Sequence, residues 1–468
     1  MQHNAVKKLT LIPCALLMIS AIDSIRNLPA TALFGSSLIF YMLLAAVVFL
    51  IPCALISAEL ANNKAGRGGV YQWVTDAFGE KIGFVAIWLQ WINTMIWYPT
   101  ILSFLAGTLA YLINPALAEN KYYLISVILV IFWGLTFINI KGLHASAKFA
   151  GICTVIGMII PMILIIAAGI IWFIQGNPLQ ISFSVKSILP SFGHSQSWIS
   201  LTAILASFLG MELTSVHAKD MEHSQKNFPK ALLIAVIVIL STMMLGSLTI
   251  AAIMPNNQIG LVEGVMQVFM KFLQVYHLTA LFPILGVMIL IGSLGGMVNW
   301  IISPAKGLLH AGQDGFLPKQ LLLCNNKNVP VKIMLAQACL VSLVCVCFLF
   351  MPSVNGSYWF LTDLSTQLYM LMYILLFASG LVLKKSSTAV NGFVIPGGKF
   401  GTGVVTVVGI LGCIMSIIIG FFPPDNINVG GFWHYEAMFA GGLIFMSIPA
   451  LFGIYYKKMQ TKHKVAII

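Results

Sequence analysis

The stretch SAIDSIRNLPATALFG, from Ser20 to Gly35, decides the fold of this chain. It places Asp23, Arg26 and Asn27 inside the first long apolar run, where a membrane helix normally carries apolar residues only. Pro29 lacks an amide proton and disfavours helical geometry at the preceding residue, so the pattern predicts a helix break between Asp23 and Asn27. Broken backbone at membrane depth is tolerated only where it faces protein or a cavity. The stretch therefore predicts a binding site inside a membrane protein.

The composition extends this interpretation to the whole chain of 468 residues. Hydrophobic residues make up 59% and charged residues 8%, whereas an ordinary soluble domain is about 25% charged. A soluble enzyme, a nucleic-acid-binding module and a disordered protein are therefore excluded. Apolar runs predict twelve membrane spans, near residues 9–35, 37–59, 80–112, 121–140, 147–175, 196–218, 229–254, 276–305, 331–350, 358–383, 402–422 and 432–456.

The positions of the basic residues predict the orientation of these spans. Of the 25 Lys and Arg residues, 21 fall at the termini or in the loops on the same side as the termini. Only Lys121, Lys186 and Lys271 fall on the other side, and Arg26 lies within a span. Because cytoplasmic loops carry the excess of Lys and Arg, we expect both termini to be cytoplasmic.

The sixth span is interrupted in the same way as the first. Its run SFLGMELTSVHAKDM, Ser207 to Met221, contains Gly210, Glu212 and His217. Two interrupted spans five apart in order are what an inverted repeat of five plus five helices produces, with both breaks meeting at the membrane midplane. The two halves share no evident residue-level repeat, so this prediction depends on hydropathy and on the positions of the breaks.

Several polar residues within the spans allow two interpretations each. Asp23 and Arg26, three residues apart, either neutralise one another on one helix face or read the charges of a substrate. Glu212 is either a proton carrier or a hydrogen-bonded brace for the broken helix. His217 either senses mildly acidic pH or serves a structural role at the interface.

Two acids and an aromatic group are expected near the membrane interfaces. Glu59 ends the second span and Asp363 begins the tenth, so both side chains are expected to be hydrated. The third span carries a group of aromatic residues that are either interface anchors or cavity-lining side chains, namely Trp88, Trp91, Trp97 and Tyr98.

Five motifs carry a resemblance to a known family. They are GRGGVYQWV (Gly66–Val74), the SFLGMELTSVHAKDM run followed by KNFPKA (Lys226–Ala231), NWIISPAKGL (Asn299–Leu308), IPGGK (Ile395–Lys399) and FFPPDNI (Phe421–Ile427). The chain resembles the amino acid–polyamine–organocation superfamily over nearly its whole length. Within that superfamily it looks most like the bacterial glutamate/γ-aminobutyrate antiporters, mainly through the IPGGK and FPPDNI runs.

The resemblance implies an all-α membrane fold with broken helices 1 and 6, an amino-acid site between them, and alternating access. Substrate contacts are implied for Asp23, Ser24, Arg26, Asn27, Phe208, Gly210 and the helix 8 face around Asn299 and Trp300, with Glu212 in proton coupling. Broken helix ends would hold the substrate carboxylate on free N–H groups and its ammonium on free carbonyls. The run IDSIRNLP departs from the small, glycine-rich segment usual in helix 1, because it adds two opposite charges.

The implied organisation has four parts. A cytoplasmic N-terminus (1–8) precedes a ten-helix core (9–383) made of repeats 9–175 and 196–383, and two further helices (402–456) precede a short cytoplasmic tail (457–468). We expect a secondary amino acid antiporter of the bacterial inner membrane, in contact with lipid and small amino acids. It would need no cofactor, metal or nucleic acid. The alternative is a proton-coupled symporter, and an ion channel is the rival from another class.

Overall fold

The computed structural model describes residues 10–61, 69–142, 152–189, 195–215, 221–384 and 393–465. Within these ranges the chain is helical and contains no strand. Among the described residues, eleven helices are long and apolar enough to cross a membrane, and two shorter helices lie where the sequence predicts the sixth span. The spans are α1 (Leu11–Ile22 and Leu28–Ala32), α2 (Gly35–Ala61), α3 (Glu80–Ile113), α4 (Lys121–Ile140), α5 (Ile152–Ile174), α6 (Ser195–Ser207 and Met211–Ser215), α7 (Ser224–Ile253), α8 (Thr279–Phe316), α9 (Val331–Phe350), α10 (Val354–Lys384), α11 (Gly398–Gly420) and α12 (Phe432–Gln460).

These spans confirm the predicted all-α membrane fold, and most boundaries agree with the sequence prediction within a few residues. The main differences lie at α7, α10 and α11, which begin earlier than expected, at α12, which continues to Gln460, and at α8, which continues through a π-helical turn to Phe316. Loop helices outside the spans include Val70–Phe78 and Gly264–Val275.

The break in α1 is shorter than the sequence predicts. The first half ends at Ile22, and Asp23 and Ser24 adopt extended backbone conformations. A 3-10 turn over Ile25–Asn27 then leads directly into Leu28–Ala32. Arg26 and Asn27 are therefore already in a helical turn, and only two residues separate the halves.

The break in α6 lies opposite the break in α1. Residues 208–210 form a turn, with Gly210 at a φ of +104°, a conformation that side-chain-bearing residues rarely adopt. Glu212 lies two residues beyond this turn, in the first turn of the second half. The first half of α1 packs against the second half of α6, and the second half of α1 against the first half of α6. A Cβ atom on Gly210 would lie 3.8 Å from the Ala21 carbonyl oxygen, so the two breaks face each other.

Helices α5 and α8 cross with their backbones in contact. Gly157 lies in a π-helical turn of α5, and a Cβ atom there would come within 2.2 Å of the Cα of Gly292 in α8. A Cβ atom on Gly292 would in turn come within 2.3 Å of the Cα of Gly157. No side chain fits between the two helices at this crossing.

The expectation that Glu59 and Asp363 are hydrated is wrong. Glu59 is 5% exposed, because the start of α11 covers it; it accepts hydrogen bonds from Lys384 and from the hydroxyl of Thr402 at 3.0 Å. Asp363 is 2% exposed and accepts a hydrogen bond from Tyr435 of α12. Since α10 begins at residue 354 instead of 358, Asp363 lies more than two turns inside the helix.

Candidate functional site

A cavity of about 700 Å³ lies between the two helix breaks. We call it the transport cavity. Its walls come from α1, α3, α5, α6, α8 and Tyr369 of α10. The lining continues to Tyr71 in the loop helix Val70–Phe78 and to His310 and Asp314 at the end of α8. These residues lie at the membrane face where α1 begins, so the cavity extends from the midplane to that face.

The structure brings most of the residues singled out from the sequence to this cavity. The lining includes Asp23, Ser24, Arg26, Asn27, Gly210, Glu212 and Trp300. Phe208 does not belong to the lining, since its side chain is fully buried in the core. His217 lies outside the described residues, and so does the side chain of Asn299.

Asp23 bonds to α7 and forms no ion pair with Arg26. Its Oδ2 atom accepts a hydrogen bond from the Thr242 hydroxyl at 2.7 Å, while its buried Oδ1 atom has no hydrogen-bond partner among the described residues. The ion pairs found across the described ranges are Lys384–Glu59 and Lys457–Glu80. The helix break separates Asp23 and Arg26, because one residue is extended and the other lies in the next turn.

Arg26 packs against α3 instead. Its Nη1 atom donates a hydrogen bond to the Thr100 hydroxyl at 3.2 Å, and its guanidinium lies 5.0 Å from the centre of the Trp97 ring. Trp97 in turn lies 5.3 Å from the ring of Trp300 on α8. A cation on an aromatic face is held in place without being neutralised. The remaining guanidinium donors are therefore available to an anionic group in the transport cavity.

Glu212 is enclosed by hydrogen-bond donors. The hydroxyls of Tyr369 and Tyr373 on α10 donate to its two carboxyl oxygens, and Gln90 of α3 donates at 3.3 Å. The Tyr373 hydroxyl also accepts the Gly210 N–H at 3.0 Å. This arrangement connects the acid, the turn in α6 and α10. Glu212 is 2% exposed. The arrangement is compatible with both interpretations of Glu212, as a proton carrier and as a brace for the broken helix.

Sequence reasoning missed the partners of these charges. Gln90, Thr100 and Tyr369 are polar residues inside long apolar helices, and this polarity is the signal that the sequence offers. The spacing of these residues does not tell which charge each one contacts. Two of the four aromatic residues singled out in α3 line the transport cavity, and the other two are buried and hydrogen-bonded to other helices. Trp91 and Trp97 line the transport cavity, Trp88 donates to the Met446 carbonyl at 2.8 Å, and Tyr98 donates to the Trp300 carbonyl at 2.7 Å.

A hydrogen bond crosses the mouth of the transport cavity. The Tyr71 hydroxyl donates to the carboxylate of Asp314, which joins the loop helix Val70–Phe78 to the end of α8. Partial burial and the adjacent Asp314 both raise the pKa of Tyr71, so the phenol stays protonated and remains a donor at physiological pH.

Comparison with known proteins identifies relatives over nearly the whole chain. The family model for amino acid permeases matches residues 9–445. An uncharacterised transporter of Legionella pneumophila subsp. pneumophila is 39% identical over 452 residues, covering 96% of this chain and 97% of that protein.

Two relatives carry more specific names. A glutamate/γ-aminobutyrate antiporter of Lactococcus lactis subsp. lactis is 30% identical over 427 residues, which cover 90% of this chain and 85% of the relative. A probable agmatine/putrescine antiporter of the same organism is 25% identical over 388 residues, covering 82% of this chain and 81% of the relative.

Proposed function

The chain belongs to the amino acid permease family, and we propose that it is an amino acid antiporter that works by alternating access in a bacterial inner membrane. Membership makes it a multi-pass membrane transporter for small amino acids, not an enzyme. Antiport is supported by the two relatives named as antiporters, which carry different substrates in their names. Cytoplasmic termini are supported by the distribution of Lys and Arg.

The observation that carries this proposal is the transport cavity between the broken helices α1 and α6. It extends to the membrane face where α1 begins. Towards the other face, the second half of α1 is packed tightly: Thr31 lies 2.6 Å from the Ser247 hydroxyl, and a Cβ atom on Gly264 would lie 2.9 Å from Pro29. A site that reaches one face and is closed to the other is one state of an alternating-access cycle. With cytoplasmic termini, this is the inward-facing state.

The charges of the cavity suggest how a substrate would bind. The unpartnered Oδ1 atom of Asp23 would attract an ammonium group, and Arg26 would attract a carboxylate. Ser24, Asn27 and Gly210, which line the transport cavity at the two breaks, would complete the site. We therefore favour a substrate that carries both an ammonium group and a well-separated carboxylate, such as glutamate or γ-aminobutyrate.

The other residues have supporting roles in this proposal. Trp300 backs Trp97 and so helps to hold Arg26. Phe208 belongs to the turn in α6, and its side chain packs into the core and would not reach the substrate. Glu212 would exchange a proton during the cycle, and His217 remains a candidate pH sensor. If proton transfer through Glu212 drives net uptake without a counter-substrate, the protein is a proton-coupled symporter, which is the alternative function.

Reconstitution in proteoliposomes tests the proposal. Labelled glutamate and a panel of other amino acids would be offered to vesicles that are empty, preloaded with γ-aminobutyrate, or subjected to a pH gradient. We expect uptake to require an internal amino acid. Uptake into empty vesicles that follows only the pH gradient would favour the symporter, and uptake that ignores both and follows sodium would reject both functions. Flux that does not saturate with substrate would indicate a channel.

A further inference from the structure

A second cavity, which we call the lateral groove, lies at the side of the helix bundle between α3, α8, α9 and α12. Its volume is about 660 Å³. The lining is apolar or aromatic and includes Trp88 of α3, Ala336 and Leu340 of α9, and Phe452 and Met459 of α12. Phe452 is 67% exposed, so the lateral groove is accessible from outside the protein. In a membrane, an opening of this kind faces hydrocarbon.

Lysines lie around one end of the lateral groove. Lys319 follows the end of α8, Lys332 lies in the first turn of α9, and Lys458 lies near the end of α12, next to lining residue Met459. All three are exposed. Lys457 is already engaged, since it pairs with Glu80. Because α8 and α12 end at the membrane face where α9 begins, the three lysines share one face of the membrane.

We propose that the lateral groove binds an anionic phospholipid, with an acyl chain along α3, α9 and α12 and the head group beside the three lysines. An apolar trough at the side of a membrane protein is filled by hydrocarbon, which explains the chain. The lysines select the head group, because each Lys near a membrane surface favours an anionic over a neutral lipid by about fivefold. The occupant is therefore a lipid such as phosphatidylglycerol.

The lateral groove and the transport cavity share a wall. Trp91 of α3 belongs to the lining of both. Its indole N–H donates to the Gln337 side chain of α9 at 2.8 Å, and Gln337 donates to the Ile301 carbonyl of α8 at 3.1 Å. A lipid chain in the lateral groove thus touches the back of a residue that lines the substrate pathway. The bound lipid should affect transport through Trp91.

Native mass spectrometry of the purified full chain, incubated with phosphatidylglycerol or phosphatidylcholine, tests the binding site. We expect preferential retention of phosphatidylglycerol. The triple variant Lys319→Gln, Lys332→Gln, Lys458→Gln should retain at least about fivefold less of it. A matched triple variant removes the same charge at the proposed cytoplasmic face, away from the lateral groove: Lys226→Gln, Lys230→Gln, Lys399→Gln. This control should retain phosphatidylglycerol like the wild type.

A second variant tests the apolar part of the lateral groove. Ala336→Trp fills the trough and should reduce retention of both lipids. Wild-type retention of phosphatidylglycerol in both the Ala336→Trp and the lysine variants would overturn the proposal. Equal retention of the two lipids by the wild type would reject the anionic head group. A protein dimer that Ala336→Trp dissociates would assign the lateral groove to a second copy of the chain and would equally reject a lipid site.

Transport measurements test the connection through Trp91. The exchange rate of the wild type should differ between vesicles of phosphatidylcholine alone and vesicles that also contain phosphatidylglycerol, and the lysine variant should lose this difference while the control variant keeps it. An exchange rate of the wild type that is independent of phosphatidylglycerol would overturn the coupling.

Discussion

The guanidinium of Arg26 lies 5.0 Å from the centre of the Trp97 ring, and this contact takes the place of an ion pair with Asp23. The two charges, three residues apart in sequence, are held by different helices: Arg26 by α3, and Asp23 by Thr242 of α7. Each charge can then respond to a different group on a substrate.

A double-mutant cycle on Asp23→Asn and Arg26→Gln tests whether the two charges act independently. Because no ion pair joins them, we expect the double variant to show no rescue, with coupling in folded yield below about 0.5 kcal/mol. Arg26→Gln should lower the exchange of carboxylate-bearing substrates by about tenfold or more, the value of a hydrogen bond to a charged group. Folded yield and uptake are measured for all four proteins. Recovery of uptake in the double variant, with unchanged substrate preference, would establish a structural pair instead.

Replacing Trp97 with Leu removes the aromatic face on which Arg26 lies. We expect the apparent affinity for acidic substrates to fall by about threefold to tenfold, as the loss of a cation–π contact predicts. Uptake titrations with labelled glutamate measure this. Trp133→Leu is a matched control, because Trp133 lies on α4, bonds to Ser342 and is absent from the lining of the transport cavity. Equal losses in both variants would show a general packing defect, not a role for the ring beneath Arg26.

Glu212→Gln keeps the shape of the side chain but cannot carry a proton. Its amide oxygen can accept the hydrogen bond from one of the two tyrosine hydroxyls, Tyr369 or Tyr373, whereas its NH2 group can only donate to the other. We expect substrate binding to survive and proton-linked transport to fall. The measurement compares substrate counterflow with pH-driven uptake over a range of pH. An unchanged pH profile in the variant would mean that Glu212 only braces the turn in α6.

Glu263 precedes the loop helix Gly264–Val275 and gives the folded protein a pH-dependent stability. Burial, assisted by the negative charge of Glu119, raises its pKa from 4.5 to about 7. The folded state favours the neutral carboxyl group of Glu263. The free energy of unfolding is therefore highest below about pH 4.5, and it falls by up to about 3 kcal/mol as the pH rises to about 7. Thermal unfolding of the detergent-solubilised protein measures this loss.

The matched variants for this prediction are Glu263→Gln and Glu119→Gln. The first removes the titrating group and should flatten the dependence of the unfolding temperature on pH. Glu119 is exposed, and its replacement should leave most of the dependence in place. A wild-type unfolding temperature that is constant across this pH range would contradict the assignment.

The sequence predicted the fold well because each membrane span leaves a strong local signal. The break in α1 follows from Pro29 and from the polar residues before it. Its start at Asp23 agrees with the prediction, whereas its end lies three residues earlier than predicted. The partners of the charges were less accessible. Whether Arg26 faces Asp23 or Trp97 depends on how two extended residues redirect the chain, and this direction is not encoded in helical spacing.

The errors at Asp363 and Glu59 have a common physical origin. Both predictions equate the distance from the end of an apolar run with the distance from water. In the structure, Tyr435 of α12 and Thr402 of α11 cover the two carboxylates from other parts of the chain. A side chain from a helix that is distant in sequence can bury an acid near a helix end. The residues around the acid in the sequence do not indicate this.

At the crossing of α5 and α8, Gly157 and Gly292 determine how the two helices meet but carry no side chain that could bind a substrate. Both residues line the transport cavity, yet neither presents a side chain to it, so they contribute shape and no selectivity. The angle at which the two helices meet is set by backbone against backbone. Substitutions of the surrounding lining residues can therefore change which molecule the cavity binds, while the crossing of α5 and α8 stays the same. Substrate preference can thus change without a change in the packing of these helices.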